Sequence, residues 1–445
     1  MTRRAPIHIA FLLLLIGCVT NETASEPSDQ PDGLGDPVVP WAGNVGYDAI
    51  RYQWDLIVDP AAGTLDAVTV MEAVGTKETP VLSLDFSGPT PSRVVVNGQV
   101  TEFEHHPPKL LVSHPTEPGE ELRVEIDFEG NPEPHTPAGF PGKLGWIHQA
   151  DLVYSSAVLP GDTATWAPLN DTPLDPAIFS VLVSTPRGMG AVASGTPTET
   201  AGITRWETLL PVTEFGFAAG ELQQRTLAGD PLITFSAIAG LSLPSEPWDE
   251  RLPELVEFLE GFLGPFPFAT LGLTQVTGLP GGNSTPGQIF LGMYEEELIA
   301  HELGHQWIGG SVSTASSRDV WLREGVPEYL AYAWIAERDS TSLDDRMQSI
   351  HTRLGRETRA LLDVDEPADR GDDATYLRGA LAFHALRKAV GDRDFRAGLM
   401  SFTAEYSGRS ATTESFIEAI QKHTEVAVAE ILGPWIEQEE MPPVP

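Results

Sequence analysis

The sequence predicts an α+β protein of more than one domain, with an N-terminal antiparallel β domain followed by a mixed β/helical domain. Three observations carry this. The chain has 445 residues, 41% of them hydrophobic, which is too long for one ordinary domain and apolar enough to bury separate cores. From Tyr47 to roughly Gln224, short alternating or β-branched runs are separated by Gly, Pro and Asn turns, the signature of antiparallel strands. From about Thr226 onward the chain becomes mixed and then takes on helical spacing of its apolar residues.

Two segments precede these domains. Residues 1–17 read as an export signal, with Arg3-Arg4 followed by an apolar run from Ile7 to Ile16 that is too short to span a bilayer. Arg3-Arg4 suits twin-arginine export and an ordinary charged leader alike. Leu15-Ile16-Gly17-Cys18 resembles the bacterial lipobox, in which the cysteine becomes the lipidated first residue of the mature protein. Cys18 is therefore the expected anchor to a bacterial membrane, on its periplasmic side or at the cell surface. It is the only cysteine, so no intrachain disulfide is possible. Residues 18–44, rich in Glu, Asp, Ser, Pro and Gly, are expected to form a disordered acidic tether. The formal charge of -37, from 64 acids against 27 bases, repels phosphate and argues against nucleic-acid partners.

Residues 45–225 form the expected β domain. Arg51 to Val58, Ala67 to Met71, Arg93 to Val96 and Leu122 to Phe128 read as strands, and Asn97-Gly98 reads as a two-residue hairpin turn. His105, His106, His135 and His148 lack ligand spacing and read as loop residues. In residues 226–445, Leu252 to Phe262 reads as an amphipathic helix and Gly278 to Leu291 as a loop followed by an edge strand. Further helices are expected over Tyr294 to Ile308, Asp319 to Trp334, Leu343 to Leu361, Tyr376 to Val390, Asp394 to Phe402 and Glu414 to Lys422. Pro327 is expected to kink or restart its helix.

The chemistry lies in Ile299-Ala-His-Glu-Leu-Gly-His-Gln-Trp307. On a helix, His301 and His305 stand on one face, where two imidazoles can share one zinc ion. Glu302, one step round from His301, can hold the attacking water and take its proton. A catalytic zinc needs a third protein ligand, and Glu324 in Trp321-Leu-Arg-Glu-Gly325 supplies a candidate beyond the turn at Gly309-Gly310. The bare H-E-x-x-H pattern recurs by chance; Glu324 at this distance makes the surface-histidine reading a poor one.

These residues, together with Tyr376-Leu-Arg-Gly-Ala-Leu381, resemble the gluzincin peptidases related to aminopeptidase N and leukotriene A4 hydrolase, the M1 family. The resemblance implies a β saddle domain, a thermolysin-like catalytic domain and one zinc ion per chain, bound by His301, His305 and Glu324. It implies Glu302 as the general base and Tyr376 as the hydrogen-bond donor to the oxyanion. No counterpart of the C-terminal helical domain of larger members is expected, which leaves the cleft more open. The edge strand Gly281-Gly282-Asn283-Ser284 would bind substrate.

The chain departs from that family in three places. Ser284 stands where the family's amine-binding Glu is found, and Leu159-Pro160 where a second acid or amide is usual. Ala331 stands where an acid often supports a ligand histidine, and Glu328 is a possible substitute. Glu297 is a possible replacement amine anchor, or only one of three acids suiting a helix N-terminus. Arg378 lines the cleft or pairs with an acid. The resulting expectation is zinc-dependent hydrolysis of peptide bonds, with strict aminopeptidase action in doubt. The alternative is a catalytically idle, zinc-containing lipoprotein that binds peptides.

Overall fold

The computed structural model describes residues 33–137, 142–157, 159–200, 203–238, 240–244, 247–355 and 358–444. The signal segment and Cys18 lie outside them. Among the described residues, no helix is long and apolar enough to cross a membrane.

The β domain is built on an eight-stranded sheet, in the order Thr196–Thr200, Ile203–Glu207, Ile178–Ser184, Tyr47–Asp59, Thr64–Gly75, Glu121–Gly130, Pro91–Val96, Gln99–Val100. Its long strands alternate buried and exposed residues because successive side chains leave opposite faces. Trp54, Leu56 and Val58 thus share one core with Trp166, Phe179 and Phe215. At Asn97-Gly98, Val96 pairs with Gln99 and both turn residues have positive φ, 49° and 81°, as a tight twisted hairpin requires.

Three expectations are corrected here. The sheet is not wholly antiparallel: Tyr47–Asp59 and Ile178–Ser184 run parallel. Between them the chain makes the three-stranded sheet over 82–85, 103–106 and 109–112 and two strands of a four-stranded one, so the excursion has room to return at the same end. His105 and His106 lie in the strand Phe103–His106, and His148 in Gly145–Gln149, rather than in loops. The third correction concerns the last part of the supposed tether. Val39, Ala42 and Asn44 are buried, and Asp36 accepts hydrogen bonds from Ser317 N and Oγ at 2.7 Å each. Composition does not reveal this, because polar atoms of both domains hold the segment in place of an apolar face of its own.

The catalytic half opens with a five-stranded mixed sheet, Leu222–Leu227, Leu232–Ile238, Thr270–Gln275, Gln288–Leu291, Gly282–Thr285. The strand Leu222–Leu227 straddles the boundary placed at 225/226. Around the sheet pack α1 (Trp248–Leu263), α2 (Glu296–Gly304), α3 (Val320–Arg338), α4 (Leu343–Leu354), α5 (Gly379–Val390), α6 (Asp392–Tyr406), α7 (Thr413–Gln421) and α8 (Val428–Ile436). The expected helix from Tyr294 is shorter at both ends, since Glu295 caps it by accepting from Leu298 N and the turn at Gly309 follows it. α4 stops at Leu354 before Gly355, whose φ is +82°. Pro327 lies inside a continuous α3, and α8 was not expected at all.

Candidate active site

α2 and α3 bring the site together. A Cβ at Gly304 would fall 2.9 Å from Pro327 Cβ, so a glycine on α2 and a proline on α3 let the two helices approach closely. A second close approach follows the ligand glutamate, where a Cβ on Gly325 would meet Gly379 backbone at 2.9 Å. That contact seats the element carrying Tyr376 against the helix carrying Glu324.

His301, His305 and Glu324 converge in buried positions, with their ligand atoms all within 4.8 Å of one another. His301 Nε2 and His305 Nε2 are 3.0 Å apart, and Glu324 Oε2 lies 3.4 and 3.2 Å from them. A tetrahedral ion with bonds of about 2.0–2.1 Å has ligand–ligand edges of about 3.3 Å. On the far side, His305 Nδ1 donates to Ile308 O at 3.1 Å, and His301 Nδ1 is 2.8 Å from Glu328 Oε2. Both Nε2 atoms face Glu324 Oε2, a buried carboxylate oxygen that has no hydrogen bond. Two imidazoles with one carboxylate at these distances suit zinc.

Glu302 is buried beside this centre, and burial raises its carboxyl pKa. A Cβ on Gly282 would fall 2.4 Å from Glu302 Cδ, so only glycine leaves room for the carboxylate there. Tyr376 lies in a π-turn, Ala374–Arg378, with its ring stacked on His301 at 5.5 Å and 20°. Burial and the carboxylates of Glu324 and Glu302 raise the Tyr376 pKa, which keeps its hydroxyl protonated as a donor. The other Glu324 oxygen lies 3.3 Å from Arg323 Nε. Arg323 reaches across to the β domain and pairs with Glu214 through both terminal nitrogens. Sequence reading missed Glu214, although Arg323 within the Trp-Leu-Arg-Glu-Gly run was a signal that a counter-acid was needed.

The predicted substrate strand is only partly where a substrate would touch it. Gly282 faces Glu302, and Gly281 lies next to it with its carbonyl bonded to Gly292 N at 2.9 Å. The Asn283 side chain bonds the Ala157 backbone at 3.1 and 3.4 Å, tying the two domains together. Ser284 is buried and accepts from Gln306 Nε2 at 2.6 Å, and Gln306 also accepts from Gly287 N. Leu159 is buried in the wall of a cavity shared with Glu214, Arg323 and Arg370. Glu297 is not an amine anchor, because it pairs with Arg346 at 2.7 Å in the cluster behind His301 that contains Glu328 and Tyr332. Among the described residues, Arg378 neither lines the cleft nor meets an acid; it donates to backbone carbonyls of the C-terminal segment.

This fold and site define a gluzincin-type metal hydrolase: two histidines on one helix, a glutamate on the next, and a base between the histidines. The Peptidase family M1 domain matches residues 293–435. The chain is 28% identical over 162 residues to the probable aminopeptidase 2 of Sulfurisphaera tokodaii, covering 33% of this chain and 20% of that one. It thus spans only about a fifth of the length of such curated relatives. The match to the M1 zinc metallopeptidase of Deinococcus radiodurans is far broader, with 28% identity, a TM-score of 0.84, and coverage of 93% of this chain and 98% of that one. A glutamate-to-alanine mutant of the Deinococcus enzyme has been solved with a Tyr-Ser-Ala substrate, at the same identity and TM-score. Across 93% of its length the chain is thus similar to a two-domain M1 zinc metallopeptidase.

Proposed function

We propose that this protein hydrolyses peptide bonds, and that it does so without an absolute requirement for a free amino terminus. The observation that carries the reading is the convergence of His301, His305 and Glu324 beside the buried Glu302 and the hydroxyl of Tyr376. His301, His305 and Glu324 would hold a zinc ion, which when bound would supply Lewis-acid polarisation of the scissile carbonyl and acidify water. Glu302 takes a proton from the attacking water on its carboxylate and returns it to the departing amine. The Tyr376 hydroxyl donates to the oxygen on which negative charge develops. Arg323 and Glu328 hold Glu324 and His301 in place.

Among the described residues, neither Ser284 nor Leu159 offers a carboxylate to an ammonium, and Glu297 is engaged by Arg346. That supports substrates whose amine is not anchored by an ion pair. A second reading, removal of amino-terminal residues, is favoured by the Tyr-Ser-Ala substrate held by the Deinococcus relative. Steady-state cleavage of Tyr-Ser-Ala and its N-acetyl form by zinc-loaded protein separates the two, with Glu302→Gln as control. Comparable kcat/KM, within about tenfold or 1.4 kcal/mol, is the outcome expected for an unanchored amine. Cleavage of the free peptide alone establishes amino-terminal trimming. Failure on both peptides, with binding retained, points to a peptide-binding protein.

We further propose export and lipid attachment at Cys18, a reading that rests on the N-terminal sequence pattern. Mass spectrometry of the membrane fraction, with Cys18→Ser expected to release the protein, tests it.

A further inference from the structure

We infer that Arg378 is a positioning residue for Tyr376, and that the C-terminal segment 434–442 is through it a working part of the active site. This inference rests on the peptidase reading above. Arg378 is fully buried, yet every hydrogen bond it makes among the described residues goes to a backbone carbonyl. Its Nε donates to Trp435 O at 2.7 Å, its Nη1 to Thr358 O, Arg359 O and Glu439 O at 3.0, 3.1 and 3.1 Å, and its Nη2 to Pro434 O and Gln438 O. A buried guanidinium without a carboxylate is costly, and the carbonyls at the negative end of α8 are what offset that cost. Burial, with Arg359 close by, lowers the Arg378 pKa to about 10. A cation held this way is a fastener between two pieces of backbone.

One of those pieces carries Tyr376. The π-turn Ala374–Arg378 ends on Arg378 and is held at its other end by Arg359, which bonds both oxygens of Asp372 at 2.8 and 3.0 Å and Thr375 Oγ at 2.7 Å. A π-turn is wider than an α-helical turn and persists where tertiary contacts hold it, often at functional sites. The other piece is the C-terminal segment, which is itself fixed. Leu362 N donates to Ile436 O at 3.1 Å, Thr358 N to Glu439 O at 3.2 Å, and the His351 ring to Pro442 O at 2.8 Å, while Met441 is buried in the core. Tyr376 stands between the two arginine clamps. Its place over His301 and Glu324 therefore depends on both clamps as well as on the Gly325–Gly379 contact.

The test is a double-mutant cycle with a readout independent of turnover. Arg378→Met is expected to lower kcat about 10²-fold, the size of one lost oxyanion donor, with KM and zinc content unchanged. In a Tyr376→Phe background the same change is expected to have no further effect, because the group being positioned is gone. Arg378→Lys, which keeps the charge but not the fork, is expected to fall between and serves if the methionine variant does not fold. With 3-fluorotyrosine at position 376, the fluorine resonance is expected to shift in both variants. Equal losses in the wild-type and Phe backgrounds, or an unmoved resonance alongside a fallen kcat, would overturn the inference. If the unmodified protein cleaves no peptide, the peptidase reading fails, and the fluorine measurement still decides the positioning.

Discussion

In the β domain Lys109 and Asp85 are 1% and 0% exposed and 2.7 Å apart; in the catalytic domain His301, His305 and Glu324 are nearly as buried and face one another at 3.0–3.4 Å. The first cluster answers itself. Lys109 gives its three protons to Asp85 Oδ1, Gly43 O and Asn44 Oδ1, and Asp85 Oδ2 accepts from Gly43 N, Asn44 Nδ2 and Asp171 N. The second gathers two imidazole nitrogens about a carboxylate oxygen that has no hydrogen bond. Buried charge that saturates its own partners is architecture, whereas buried ligand atoms that converge and leave an oxygen unsatisfied mark a place for something else.

The comparison breaks most visibly at the metal. Glu324→Ala is expected to bring zinc content, read by atomic emission, to background and to end turnover. Glu302→Gln is expected to keep zinc while slowing turnover about 10²–10⁴-fold, since it removes a base and no ligand. Near-normal rates in that variant would refute the mechanism.

On the architectural side, Lys109→Met leaves Asp85 without its counter-charge. It is expected to cost about 3–5 kcal/mol in denaturant unfolding, with zinc affinity unchanged in the folded protein. A matching loss of zinc affinity would mean that the two clusters are coupled. Between these extremes lies Glu328, whose contact with His301 Nδ1 is a support rather than a ligand. Glu328→Gln is expected to weaken zinc about 10–100-fold in a chelator competition. The smallest effect belongs to Asp36, partly exposed, which accepts from Ser317 N and Oγ across the domains and from Val38 N and Val39 N beside it. Asp36→Ala is expected to cost about 1–2 kcal/mol and to leave zinc binding untouched.

The two clusters were not equally legible beforehand. His301, Glu302, His305 and Glu324 sit on two helices at spacings that only one chemistry uses well, so the string of residues announced them. Lys109 and Asp85 gave no sign, because they meet through strands paired antiparallel at Asp85 and Lys109 and through a segment that composition had assigned to disorder. Glu214, Gln306 and the carbonyl cage around Arg378 were hidden for the same reason. Each joins elements far apart in sequence by hydrogen bonds that leave no periodic trace. Glu297, by contrast, was visible but ambiguous, and only its pairing with Arg346 decided its role.

By itself the sequence determined the alternating strands, the hairpin at Asn97-Gly98, most of the helices and the metal ligands, because each follows from local period, turn chemistry or ligand spacing. Tertiary structure decided the parallel pair in the sheet, the docking of residues 33–44, the fate of Ser284 and the clamps on Tyr376. Those depend on which distant groups meet in space, and a backbone carbonyl accepting from a buried arginine has no residue code of its own.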